Sequence, residues 1–233
     1  LALKARNVGL NLIAVGGAPR DFLLKGSWPH DWDLEARWAG PGPAPQGAAA
    51  EKLLRDFCRS QEATYKVEEL SFLVFRLKRR DGGRERFEIA CPRTETYPKG
   101  PGPFGHSDFK VRLDLGLPLE KALQRRDFTV NALALSLLDG SIQDPTQGLA
   151  DLALKKLRPV GPDFAKDPVR LLRAIRFRLK LGFTWHPELE KAAKEFRLER
   201  LTPHYLREEG FKENFFLFMR DFAQLWPGRM GAP

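Results

Sequence analysis

Cysteine is nearly absent. Only Cys58 and Cys91 occur in 233 residues, and they sit far apart in no metal-binding pattern. That leaves no basis for a disulfide framework or a cysteine zinc site, and two reduced thiols are the expectation. The four histidines, His30, His106, His186 and His204, are equally scattered and lack zinc-ligand spacing. No apolar run approaches the roughly 20 residues of a membrane helix. No secretory apolar segment opens the chain, so a cytoplasmic protein without a membrane partner is expected. There is no internal repeat, no Walker loop and no G-x-G-x-x-G. Residue 1 is Leu rather than Met, so the true N-terminus is expected to lie upstream.

What is present is core and charge. An apolar fraction of 42% and 17 Phe indicate a folded protein, long enough for one large domain or two modest ones. The net charge of +9 is concentrated. Between Lys155 and Lys180 nine Lys or Arg stand against Asp163 and Asp167, a local +7, whereas residues 181–233 balance eight against eight. Such a stripe attracts polyanions such as nucleotides or RNA, although a solvated helix face has the same composition.

The first half mixes strands and helices. Leu12 to Val15 reads as a buried strand running into Gly16-Gly17, and Pro19 to Leu24 as a helix with Pro near its start. Asp31 to Trp38 reads as a strand, Gly40 to Gly47 as a loop and Ala48 to Arg59 as a helix. Tyr65 to Val67, Phe72 to Lys78 and Arg84 to Cys91 read as strands, the last two joined through Asp81-Gly82-Gly83. Pro92 to Gly116 reads as a long loop. Beyond it helices are expected at Leu119 to Arg125, Thr129 to Leu138, Leu149 to Leu157, Pro168 to Leu181, Pro187 to Leu198 and Pro203 to Leu225. The outline is an α/β domain to about residue 145 and a helical region after it.

Three acids stand out. Asp31 and Asp33 lie two apart on a strand, so they share a face and can share a magnesium ion, which prefers hard oxygen ligands together with substrate phosphates. Glu35 continues the same parity, as it would on any solvated strand face. Glu88, between Phe87 and Ile89, points away from their apolar face and is placed to be a third ligand or simply an outward-facing acid. The Gly16-Gly17 turn precedes Asp31 by about 15 residues. Glycines admit a phosphate close to the backbone, a helix start offers free N–H groups, and Arg20 adds a forked donor.

In order along the chain run Val15-Gly16-Gly17-Ala18-Pro19-Arg20-Asp21, Asp31-Trp32-Asp33, and Arg125-Arg126-Asp127-Phe128-Thr129-Val130-Asn131-Ala132-Leu133-Ala134. Asp144-Pro145 to Gly148, Asp151-Leu152 and Lys166 to Phe177 follow. Together these blocks resemble the class II tRNA nucleotidyltransferase (CCA-adding enzyme) and bacterial poly(A) polymerase family over residues 10 to 185.

The resemblance implies an α/β palm-type nucleotidyltransferase head with a mixed β-sheet over residues 1–145. An all-helical neck and the start of a body, binding RNA and nucleotide, would occupy 146–233. It implies template-independent addition of CMP or AMP, from CTP or ATP, to an RNA 3′ end, most closely a tRNA, by a two-metal magnesium mechanism. Asp31 and Asp33 match the metal ligands and Glu88 the third catalytic acid. Gly16, Gly17, Arg20, Arg126 and Asn131 match positions around the triphosphate and sugar. Asp167 and Arg170 match the pair that reads the base edge, with Arg173 and Arg176 alongside. At about 100° per residue, Arg170, Arg173 and Arg176 span roughly 120° of one helix face. Leu171, Leu172, Ile175 and Leu179 form the opposing apolar arc.

Three features depart from the family. Pro19 replaces an apolar residue, with little effect expected. Lys166 stands where an acid precedes the base-reading Asp. The chain stops soon after the neck, which is expected of a truncated chain or of a compact relative. The alternatives are a poly(A) polymerase and a nucleotide- or RNA-binding relative without turnover; the oligomeric state is open.

Overall fold

The computed structural model describes residues 1–100 and 102–225. Residue 101 of the expected loop and residues 226–233 of the expected helical region lie outside the described residues. The helix α1 (Ala2–Arg6) leads to β1 (Leu10–Val15), α2 (Gly17–Lys25), β2 (Asp31–Trp38) and α3 (Gly47–Arg59). Next come β3 (Tyr65–Leu70), β4 (Val74–Arg79), β5 (Arg86–Ala90), β6 (Arg93–Thr96), β7 (Lys110–Leu113), α4 (Leu119–Leu123), β8 (Ala134–Ser136) and β9 (Ile142–Gln143). The remainder is α5 (Gly148–Ala153), β10 (Lys156–Leu157), α6 (Val169–Leu181), β11 (Thr184–Trp185), α7 (Pro187–Ala193), α8 (Pro203–Gly210) and α9 (Phe215–Leu225).

Seven strands form a mixed sheet in the order β3-β4-β5-β2-β1-β8-β9, with β2 and β5 parallel and the other neighbours antiparallel. Strand alternation gives the sheet two unlike faces. On one, Leu12, Ala14, Leu34, Phe75, Leu77 and Ile89 pack on Ala50, Leu54, Phe57 and Cys58 of α3. The α3 residues recur at helical spacing on one side. Full burial of Leu54 and Phe57 contributes about 2 kcal/mol each. The register places Asp31, Asp33 and Glu35 of β2 on the other face, beside Arg86 and Glu88 of β5.

A second core gathers Leu171, Leu172 and Ile175 of α6 with Phe164, Phe183, Leu189, Phe196 and Phe218, and it reaches back to Phe128 and Val130. At the start of α6 the Asp167 carboxylate accepts the Val169 N–H at 2.9 Å. The helix ends where Gly182 turns left-handed at φ +67 and donates to the Arg178 carbonyl, the geometry glycine alone adopts freely.

Several expected elements differ. Thr129 to Leu138 is not a helix. It is a short turn at Thr129–Asn131 followed by β8, which pairs with β1. Residues 127–136 are buried throughout, so no one-sided stripe separates helix from strand, and the open edge of β1 takes the segment. Pro92 to Gly116 contains the β6–β7 hairpin. The expected helix at Leu149 to Leu157 stops at Ala153, and Lys155, at φ +53, turns the chain into β10, which pairs with β11 within the helical region. The helix from Pro187 ends at Ala193 rather than Leu198. Pro203 to Leu225 is two helices, with Asn214 accepting the Leu217 N–H at 3.1 Å to start the second.

Candidate active site

On the polar face of the sheet, Asp31 and Asp33 lie side by side on β2. Asp33 is in register with Glu88 on the parallel neighbour β5, and Asp31 with Arg86. Arg86 grips Asp31 through two bonds of 2.5 and 2.9 Å. Glu88 is held by Arg76 of β4 at 2.8 Å. The three acids are therefore brought together, two of them with an arginine in hand. Asp33 is surface-exposed by area yet hemmed in by protein. Lost hydration raises its pKa above the usual carboxylate range and Glu88 adds to the rise, against Arg126.

The glycine turn lies against these acids. Gly16 has φ +78 and caps α2. A Cβ there would stand 3.0 Å from Asp33 Oδ2 and 3.1 Å from Arg126 Nη1. Backbone, carboxylate and guanidinium meet at a place only glycine can fill. Arg20, in the first turn of α2, is buried. Its Nε donates to Asp21 at 2.7 Å, its Nη1 donates to Asn131 Oδ1, and the guanidinium lies over the Phe177 ring.

From Asn131 the polar chain continues inward. Asn131 Nδ2 donates to Asp127 at 3.0 Å, and Asp127 also accepts the Phe128 N–H at 2.7 Å. Arg173 of α6 closes on Asp127 at 2.5 Å. Burial works to raise the Asp127 pKa, but Arg173, Asn131 and the amide outweigh it and hold it at about 2. Arg20, Asn131, Asp127 and Arg173 thus form one continuous network between the sheet and α6.

Arg126 and its neighbour Arg125 rest on Glu35. This residue is only 1% exposed and has Arg125 at 3.3 Å, Arg37 at 3.4 Å and Arg126 at 3.5 Å. The strand parity that suggested a solvated face instead puts Glu35 under the arginine pair. Burial and the nearby Arg126 and Arg93 push Arg125 down to about 10.

The row along α6 is more divided than its helical spacing suggests. Asp167 is buried and meets His106, whose Nδ1 is 2.9 Å from Oδ2. Arg170 donates to the carbonyls of Arg125 at 2.7 Å and Asp163 at 3.3 Å. Arg176 turns away to Glu209 of α8, a buried pair at 2.6 Å. Arg173 keeps a third of its side chain in solvent. Lys166 pairs with Asp163 at 2.7 Å and lies over the Tyr97 ring.

The residues that sequence reasoning passed over are Glu35, His106, Asp127 and Glu209. Asp127 alone carried a signal, as part of the Arg125–Ala134 block. Cys58 and Cys91 are both free and buried, and burial pushes each thiol up to about 12. Recesses of about 760 and 1100 Å³ lie among the helices, lined by Phe196, Leu206 and Phe222 and by Phe183, Trp185 and Arg178. No expected site residue lines either. A recess of about 180 Å³ lined by Tyr97, Arg125 and Arg170 does border the site. Among the described residues no group of three His, Cys, Asp or Glu is arranged to hold a metal ion, and no helix is long and apolar enough to cross a membrane.

The profile described as "Poly A polymerase head domain" matches residues 12–158. The "Multifunctional CCA protein" of Stenotrophomonas maltophilia (strain K279a) is 35% identical over 208 residues, which cover 86% of this chain and 45% of that protein. A CCA-adding enzyme solved in an apo form superposes with TM-score 0.73 at 28% identity, covering 96% of this chain and 51% of that one. A complex of a CCA-adding enzyme with ATP gives 0.70 at 27% identity, covering 96% and 49%. The Thermotoga maritima CCA-adding enzyme complexed with tRNA gives 0.67 at 27% identity, covering 96% and 48%. The chain thus spans about half the length of the relatives it matches.

Proposed function

Because the chain belongs to the poly A polymerase head domain family, we propose that it is a template-independent RNA nucleotidyltransferase. It adds CMP, AMP or both, from CTP and ATP, to the 3′ end of tRNA in the cytoplasm. Its fold is that of the nucleotidyltransferase head of CCA-adding enzymes, a mixed sheet followed by helices. We divide it into a head to about residue 145 and a neck with the start of a body from 146. The observation that carries the reading is the meeting of Asp33, Glu88, Arg126 and the left-handed Gly16 at one point of the sheet's polar face.

Magnesium is implied by the family resemblance, and the chemistry of the donors suits it, although as they stand these carboxylates are not gathered into a metal-holding group. Asp31, Asp33 and Glu88 offer only carboxylate oxygens, the hard ligands this ion prefers. Burial raises Asp33 and the neighbouring Glu88 adds to the rise, and a divalent cation would favour the ionised form of both acids. The competing pairs to Arg86 and Arg76 lie at the surface, where such pairs contribute about 0–1 kcal/mol and give way easily. When bound, the ion activates the attacking hydroxyl and neutralises phosphate charge.

The chain's own residues supply the rest. Arg126, braced by Glu35 and set beside Asp33, offers a guanidinium to the triphosphate. Arg20 and Asn131, locked to each other and to Asp127, form the wall on the sugar side. Asp167 accepts from the base and Arg170 donates to it, once both are freed from their present partners. The basic stretch from Lys155 to Lys180 attracts the RNA backbone.

The test is incorporation of labelled CTP or ATP, with magnesium, into tRNAs ending at each stage of the 3′ CCA. Incorporation on one species alone identifies a partial enzyme. Long tails on generic RNA identify a poly(A) polymerase. Nucleotide binding without incorporation sinks the enzyme reading.

A further inference from the structure

Asp167 is 5% exposed. Its Oδ1 accepts the Val169 N–H at 2.9 Å. Its nearest other partner is His106, whose Nδ1 lies 3.0 Å from Oδ1 and 2.9 Å from Oδ2, with Arg170 Nε farther off at 3.8 Å from Oδ2. A carboxylate only accepts, so His106 Nδ1 is the donor. The imidazole comes from the segment between β6 and β7, not from the helical region, and it remains 40% exposed. It therefore covers the buried carboxylate from the solvent side.

The amino groups of cytosine and adenine are also N–H donors. A base whose edge is read by Asp167 needs the oxygens that His106 holds. Resting on the transferase reading above, we propose that His106 and the incoming base compete for the Asp167 carboxylate, so that a nucleotide seats its base only after His106 has let go.

The surroundings give the competition a sign with pH. Facing His106 are Asp167 just before α6, Arg170 and Arg173 from α6, and Tyr205 from α8, the last itself packed against His204. Asp108, two residues along the same segment, is committed to Arg200 at 2.6 Å. The hydrogen bond to Asp167 raises the His106 pKa above its ordinary value, while burial, Arg173 and Arg170 oppose the rise. The imidazolium is thus the form that grips. Its hold is complete below about pH 6.5, the ordinary histidine value, and fades as pH rises through the raised value. Base entry becomes easier in the same direction.

The experiment measures binding of CTP and of ATP to the whole protein from pH 5.5 to 8.5, for wild type, His106→Ala and His106→Asn. Wild type tightens with rising pH by about tenfold for each unit by which Asp167 raises His106. Both variants lack this component and bind more tightly than wild type at pH 5.5. Comparison between proteins cancels the nucleotide's own ionisation. Variants that keep the wild-type slope, or that bind more weakly at every pH, overturn the competition alone. Failure of wild type to bind either nucleotide at pH 8.5 overturns the transferase reading and the competition with it. A proton NMR titration adds a readout free of nucleotide: Asp167→Asn lowers the His106 pKa toward its ordinary value, and an unchanged titration sinks the proposal.

Discussion

Arg173 of the helical region and Asp127 of the head form an ion pair at 2.5 Å. The pair joins α6 to the polar network that ends at Arg20 beside the glycine turn. With the Arg170 bond to the Arg125 carbonyl, it ties the part expected to handle phosphates to the part expected to handle bases.

Asp127 carries a pH signature. Its folded value, about 2, lies below the ordinary 3.8. The stability it contributes is therefore present above about pH 4 and is lost as pH falls toward 2. Asp127→Asn is expected to shrink the acid-dependent loss of stability by about 2 kcal/mol, read from denaturant unfolding at pH 5 and pH 2. Parallel curves for variant and wild type would contradict the assignment.

Asp31→Ala and Asp33→Ala are expected to reduce nucleotide incorporation below about 1% of wild type, since such ligands support most of the ion's contribution. Circular dichroism should stay unchanged, because both side chains lie on the exposed polar face of the sheet. Activity well above that level in either variant argues against a metal role.

The Arg176–Glu209 pair is buried on both sides. Arg176→Ala leaves Glu209 without its partner on α6 and is expected to cost about 3–5 kcal/mol in thermal or denaturant unfolding. The double change Arg176→Met with Glu209→Leu should recover most of that loss while CTP and ATP affinity stay at wild type. A large drop in affinity in the double variant would show that Arg176 reaches the nucleotide, as the helical spacing suggested.

Gly16→Ala forces a side chain onto a backbone at φ +78 and within 3.0 Å of Asp33. The strain is about 1–3 kcal/mol. The displacement of Asp33 should matter more, since a shift of about 1 Å at a reacting group costs on the order of a hundredfold in rate. Turnover is expected to fall about that much with the fold retained, measured as kcat beside a melting curve.

The shared face of the candidate acids was legible because a strand has a fixed period. Asp31 and Asp33 had to share a face, and Glu88 had to oppose Phe87 and Ile89. Legibility failed where burial erased the pattern. Ala134 to Ser136 gave no periodic signal because every side chain there is buried. Glu35 looked solvated because its alternation matched that of Asp33, and nothing local announced the arginines 90 residues away. The arginines of α6 were grouped correctly by angle, but angle does not say what each one meets.

By itself, the sequence determined the family, the strand that carries the acids and the helix that carries the Arg row. These follow from local order and short-range periodicity, which a linear chain preserves. Only the tertiary structure decided who holds whom: Arg86 on Asp31, Glu35 under Arg125 and Arg126, His106 on Asp167 and Glu209 on Arg176. Each of these pairs joins residues that are distant in sequence, and each depends on desolvation and on which element folds against which.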